Sequence, residues 1–167
     1  MKKIIFGLSI VFCFLSTYAQ NLTLNDLMIL CSKKNWEEVH QILITKKWRF
    51  TKTETDRNFK DIVWEYNTSL TTKKDEDAYL RLYLYNEEIY AISLQTDNNL
   101  ILNSTITAGF KFIDSEIKDN RLESTYANAN FDLYIFTRSD RYSTAYEIEI
   151  GKKSRVELIK KKYGNED

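Results

Sequence analysis

From Ala78 to Tyr85 the chain alternates without a break, with Leu80, Leu82 and Leu84 on one side and Tyr79, Arg81, Tyr83 and Tyr85 on the other. A period of two marks a β-strand, whose successive side chains point to opposite faces. Asn86-Glu87-Glu88 makes a short turn into a second apolar run, Ile89 to Thr96, so the two segments read as a hairpin. Upstream, Trp48 and Phe50 share one strand face, and Ile62, Trp64 and Tyr66 share another. Thr68 to Asp77 is polar and charged and reads as a long exposed loop.

Helical spacing precedes the strands. Leu24, Leu27, Met28 and Cys31 recur at three and four residues behind a start signal in which Thr23 caps, Asp26 sits at N3 and Leu22 staples against Leu27. Asn35 and Glu38 repeat the capping signal before Trp36, Val39 and Leu43, and Lys46-Lys47 closes that helix. Two short amphipathic helices therefore come first.

The order then restarts. Leu100 to Ala108 predicts a short helix with Gly109 at its C-terminal cap, although Ile101, Thr105, Ile106 and Thr107 are β-branched and weaken it. Ala108 to Phe112 echoes Lys47 to Phe50, and Glu123 to Asn128 echoes Val63 to Asn67. Phe131 to Phe136 echoes Tyr79 to Leu84, and Ser143 to Ile150 stands where Ile89 to Thr96 stood, with a shorter connection around Asn128-Ala129-Asn130. The reading is an α+β protein of two tandem units, 22–96 and 97–150, each a leading helix and about four antiparallel strands. Together they make one compact domain over 20–151. Residues 152–167 form a basic tail. Ser154 with Glu157 allows a capping box, and Val156, Ile159 and Tyr163 fit a helix face, while Val156 and Leu158 also fit a strand.

Residues 1–19 carry a different signal. Lys2 and Lys3 precede an apolar run from Ile4 to Leu15, then Ser16-Thr17-Tyr18-Ala19 supplies a cleavage site before Gln20. That three-part pattern predicts a cleaved signal peptide and a periplasmic or secreted protein, with no transmembrane segment after cleavage. Removing it leaves 22 basic against 24 acidic residues, a net charge of −2, and Cys31 as the only cysteine. A lone cysteine makes no internal disulfide, and at the end of an apolar stripe it reads as a buried thiol. The balanced charge offers no field for a phosphate backbone, so nucleic acid is not an expected partner.

The chemistry-bearing residues are sparse. No nucleophile elbow, His-Glu-x-x-His, P-loop or dinucleotide fingerprint is present, and the scattered glycines cannot cradle a phosphate. His40 is the only histidine and reads as structural, so neither a catalytic set, a metal nor any other cofactor is expected. Two carboxylate groups stay open as glycosidase pairs: Asp75, Glu76 and Asp77 in the predicted loop, and Glu147 with Glu149 on the wet face of a strand. Asn21, Asn67 and Asn103 open N-glycosylation patterns, which matter only in a eukaryotic secretory pathway.

The most informative feature is the tyrosine side of the hairpin. Tyr79, Arg81, Tyr83 and Tyr85 share it, and Tyr134 and Phe136 take the same place in the second unit, with Arg138 beyond them. Tyrosine brings a large apolar body, few rotamers to freeze and a hydroxyl that tolerates water, as protein-binding surfaces require. The opening Leu24-Asn25-Asp26-Leu27-Met28-Ile29-Leu30-Cys31, with Lys46-Lys47-Trp48-Arg49-Phe50, Ala108-Gly109-Phe110-Lys111-Phe112 and the leader, resembles small uncharacterised secreted proteins of Bacteroidota. The topology is similar to the β-lactamase inhibitor protein fold, and that resemblance implies a sheet that binds a partner protein. The expectation is an exported, non-catalytic binding protein of inhibitor, immunity or envelope-assembly type. A carboxylate-dependent hydrolase acting on glycans, and a self-associating structural envelope protein, are the alternatives. The partner is expected to be another protein before a glycan.

Overall fold

The computed structural model describes residues 22–66, 78–97, 99–105, 108–139 and 143–153. The predicted leader, the 68–77 loop with Asp75, Glu76 and Asp77, and the tail beyond Lys153 lie outside these residues. Two helices, α1 (Leu24–Cys31) and α2 (Trp36–Thr45), lead into β1 (Arg49–Asp56), β2 (Phe59–Tyr66), β3 (Ala78–Tyr85) and β4 (Glu88–Thr96). A 3-10 helix (Asn99–Ser104) follows, then β5 (Lys111–Lys118), β6 (Arg121–Ala127), β7 (Phe131–Ser139) and β8 (Thr144–Lys152). The fold is α+β: the eight strands form one antiparallel sheet in the order β1-β2-β3-β4-β8-β7-β6-β5.

Local chemistry accounts for the element ends. The Thr23 hydroxyl accepts from the Asp26 amide while the Asp26 carboxylate accepts from the Thr23 amide, closing the capping box. Leu22 is buried beside it in the core. The Asn35 side chain accepts from the Glu38 amide and starts α2. Lys47 then takes a left-handed conformation (φ 67°), and the Trp48 amide donates back to the Leu43 carbonyl at 3.0 Å. Gly109 does the same at φ 76°, and the Phe110 amide donates to the Thr105 carbonyl at 3.3 Å. The helix predicted over Leu100–Ala108 is only a 3-10 helix, Asn99–Ser104. Its Ser104 and Thr105 hydroxyls donate to the Ile101 and Leu102 carbonyls, the backbone competition that keeps such residues from propagating a helix.

Tight hairpins join the strands. Asn86 and Glu87 both have positive φ between β3 and β4, as do Asp119 and Asn120 between β5 and β6. This is the twist-matched two-residue turn, made without glycine. Asn128 bends β6 into β7 by accepting from the amides of Asn130 and Phe131. β1 carries a bulge between Phe50 and Lys52, and β5 one between Phe112 and Asp114.

One sheet face holds the core. Leu80, Leu82 and Leu84 of β3, Ile92 and Leu94 of β4, Leu133 and Ile135 of β7, and Ile148 and Ile150 of β8 are buried there. α1 lays Leu24, Leu27, Leu30 and Cys31 across β4 and β8, and α2 lies against β1 with Val39 and Leu43 inward. The edge strands β1 and β5 are exposed along their whole length. β1 guards its edge with Arg49, Lys52, Glu54 and Asp56, charges that discourage further strand pairing.

Candidate functional site

The opposite face of the sheet carries no described helix. The leucines of β3 face the helices, so the strand's alternation turns Tyr79, Arg81, Tyr83 and Tyr85 to this outer side. Register extends the surface: Arg81 pairs with Val63 and Ser93, Ser93 with Glu149, and Glu149 with Tyr134. One row thus runs Lys52, Val63, Arg81, Ser93, Glu149, Tyr134, and the adjacent row contains Tyr79, Gln95, Glu147 and Phe136.

A groove of about 340 Å³ opens on this face. Tyr79, Arg81 and Tyr83 form its middle, Val63, Ser93 and Gln95 its floor and far wall, Thr51 and Lys52 one rim, and Glu147 the other. Tyr79 is 41% exposed, whereas Ser93 and Val63 are buried. The Tyr83 hydroxyl lies 3.4 Å from Ser93 Oγ. Burial pushes the Tyr83 phenol above its ordinary pKa, against the pull of that hydrogen bond, so it stays a neutral donor and acceptor. Arg81 Nη1 stands 4.0 Å from the Asp61 carboxylate, too loose a contact to occupy the guanidinium. Burial raises the Asp61 pKa, with Arg81 opposing it and Glu54 reinforcing it.

Of the residues the sequence singled out, the groove brings together Tyr79, Arg81 and Tyr83. Tyr85 packs on Phe59 at 4.9 Å between ring centroids, and Phe59 and Tyr83 both meet Tyr90, so a four-ring aromatic cluster flanks the groove. Tyr134 and Phe136 lie on the same face but three strands over from Tyr83, with β4 and β8 between, outside the groove lining. The Arg121 guanidinium sits 4.3 Å from the Phe136 ring centroid and 4.0 Å from the Glu147 carboxylate. Arg138 is exposed. The contributions of Thr51, Lys52, Ser93 and Gln95 follow from cross-strand register, and Tyr90 reaches the cluster at a break in the β3–β4 register. No periodicity in the chain encodes either.

Glu147 and Glu149 both point to this side. The position predicted as wet is partly buried: burial, and then repulsion from Glu147, raises the Glu149 pKa. His40 is on the helix side, where its Nδ1 accepts from Trp64 Nε1 at 3.1 Å and its ring stacks among Trp36, Phe50 and Trp64. It cannot serve Ser93 as a base across the sheet. Cys31 is buried, its Sγ 3.7 Å from the Ile150 carbonyl, and burial pushes its thiol up to about 12. Among the described residues, no group of three or more His, Cys, Asp or Glu could hold a metal. No described helix is long and apolar enough to cross a membrane. The site can therefore offer aromatic contact, hydrogen bonds and charges of both signs. No family model, curated protein or solved structure matches this chain.

Proposed function

We propose that this is an exported, non-catalytic binding protein that captures another protein on the outer face of its sheet. The observation that carries the reading is the groove: Tyr79, Arg81 and Tyr83 stand together beside buried Ser93 on a face that no described helix covers. Aromatic side chains and arginine around a partly desolvated recess are the composition of energetic centres in protein interfaces. Arg81 in the middle and Glu147 at the far rim give the groove a charge direction, which favours one orientation of a partner over its reverse, while Lys52 at the near rim is paired with Glu54. Residues 1–19 act as the export signal, which puts the mature chain in the periplasm or outside the cell.

The domain is built as two tandem units, 22–96 and 97–150. Trp48 and Phe110, the left-handed residues Lys47 and Gly109, and the bulges after Phe50 and Phe112 each stand 62 positions apart. The strand order is the same read from either edge inward, first strand to fourth. This organisation, helices followed by an antiparallel sheet and repeated, supports the similarity to the β-lactamase inhibitor protein fold.

The test is capture from an envelope extract by the tagged mature protein and by its Tyr79→Ala/Arg81→Ala variant. Both side chains are partly exposed, so the variant keeps its far-ultraviolet dichroism and its melting temperature to within a few degrees. The variant is expected to lose at least nine tenths of a partner that the unaltered protein retains. Equal capture by both would overturn the proposal. A second reading, a hydrolase, draws on Glu147 and Glu149, whose alternation on β8 sets their Cα atoms about 6.6–6.8 Å apart. Against it stand the positive charge of Arg121, 4.0 Å from the Glu147 carboxylate, and the absence of Glu149 from the groove lining.

A further inference from the structure

The helix side of the sheet is covered unequally. Over the first four strands, α2 brings His40, with Trp36 against it, onto Trp64 and Phe50; Trp64 is fully buried and Phe50 is 42% exposed. The matching row of the last four strands is Ile150, Leu133, Tyr126 and Phe112. Ile150, beside Cys31 of α1, and Leu133 are fully buried, but burial then falls away: Tyr126 is half-buried and Phe112 is 59% exposed. Farther along the same hairpin, Ile117 and Leu122 pair with each other at 80% and 43% exposure. An apolar strip on β5 and β6 therefore lies where α2 would lie if the sheet were covered evenly.

The chain before β5 supplies no such cover. Among its described residues the one helical element is the 3-10 helix, which packs on α1. The chain after β8 starts in the right place. Lys152 pairs with Phe131, and Gly151, Asp132, Ala127 and Lys111 lie in register across β8, β7, β6 and β5, one step from the Phe112 row. Lys153 has already left the strand for helical backbone, its amide donating to the Asn130 carbonyl at 3.3 Å in the β6–β7 turn. Ahead of it, residues 154–167 carry Val156, Ile159 and Tyr163 at helical spacing. A helix of that length spans about 21 Å, and the three inter-strand steps from β8 to β5 cover about 14 Å.

We propose that residues 154–167 dock on the helix-side face of β5 and β6, laying Val156, Ile159 and Tyr163 over Phe112, Leu122 and Tyr126. The segment does for the last four strands what α2 does for the first four; Lys161 and Lys162 fall off the docked face, and Lys160 at its border reaches water past its own alkyl stem. The proposal is independent of the function of the outer face, since it concerns the other side of the sheet.

Disulfide trapping in the full mature chain tests it. With Cys31→Ala as background, Ile159→Cys is paired with Ser124→Cys on the helix side of β6, and separately with Thr125→Cys on the outer side. The Ser124 pair is expected to close within one chain at least tenfold faster than the Thr125 pair. Equal rates would overturn the proposal, and so would links formed only between chains, which would make a second copy the occupant. A measurement without new cysteines guards against misfolded variants: trypsin should cut at Lys160, Lys161 and Lys162 at least tenfold more slowly in the unaltered chain than in Val156→Asp/Ile159→Asp. Cleavage at the same rate would equally overturn docking.

Discussion

Glu149 sits at the centre of the outer face between Ser93 and Tyr134, and its raised pKa states a cost of keeping it ionised there. The folded protein holds this proton more tightly than the unfolded chain does. The stability linked to the group is therefore fully present below the ordinary value of 4.5 and is lost as pH rises through the elevated folded value. Glu149→Gln should unfold at higher urea than the unaltered protein at pH 7, and the gain should vanish by pH 4. Urea midpoints at pH 4, 5.5 and 7 check this; a gain of the same size at all three would refute the linkage. Asp26 is the opposite case. Burial pushes its pKa up, but hydrogen bonds from Thr23 and the charge of Lys46 outweigh that and hold the carboxyl below 3.8, where it serves the capping box. At this scale the sequence was informative about caps, because a cap is chemistry over four consecutive residues. It said that Glu149 would face outward from β8, but not that neighbouring strands would desolvate it, since those neighbours are 56 and 15 positions away.

The junctions that aim β1 and β5 make a matched pair. Lys47 and Gly109 occupy the same left-handed conformation after the same turn, and each lets the next amide reach back to a carbonyl five residues earlier. A side chain in that conformation costs roughly 1 kcal/mol. Gly109→Ala should therefore destabilise by about 1 kcal/mol. A Cβ there meets nothing within 4 Å, so the loss isolates the backbone term. Lys47→Gly should stabilise by a smaller amount, because the unfolded chain gains freedom from glycine at roughly 0.5–1 kcal/mol. Denaturant melts of the two variants, read for opposite signs, decide the matter. Elements with strong periodicity were legible from the chain: α1, α2, and the β3–β4 hairpin with its leucine and tyrosine sides. The predicted helix at Leu100–Ala108 shortened to a 3-10 turn because Ser104 and Thr105 spend their hydroxyls on nearby carbonyls.

At the scale of the molecule, β4 and β8 join the two halves of the sheet, and α1 closes over their seam. Ile150 lies in that seam, fully buried and paired with both Ile92 and Leu133. Ile150→Ala should cost about 2–5 kcal/mol, whereas Thr55→Ala on the exposed edge strand should change stability by less than about 0.5 kcal/mol. Thermal melts of the pair measure the difference between seam and edge. The joining of the halves into one sheet could not be read from either half alone. Alternation says which side chains share a face, but the neighbour of β4 is settled only when the whole chain collapses. The groove inherits that dependence, since Ser93 and Gln95 come from one half and Glu147 from the other.

The seam has a consequence for how the chain is made. Strands β1 to β4 leave the ribosome first and can pair in order, but the inner flank of β4 waits for β8, the last strand of the sheet. Until it arrives, Ile92 and Leu94 belong to an open border that any passing chain could extend. A chain cut short before Thr144 would keep that border, and with it an invitation to aggregate. The eighth strand thus seals the border of β4 only once synthesis has passed Lys152.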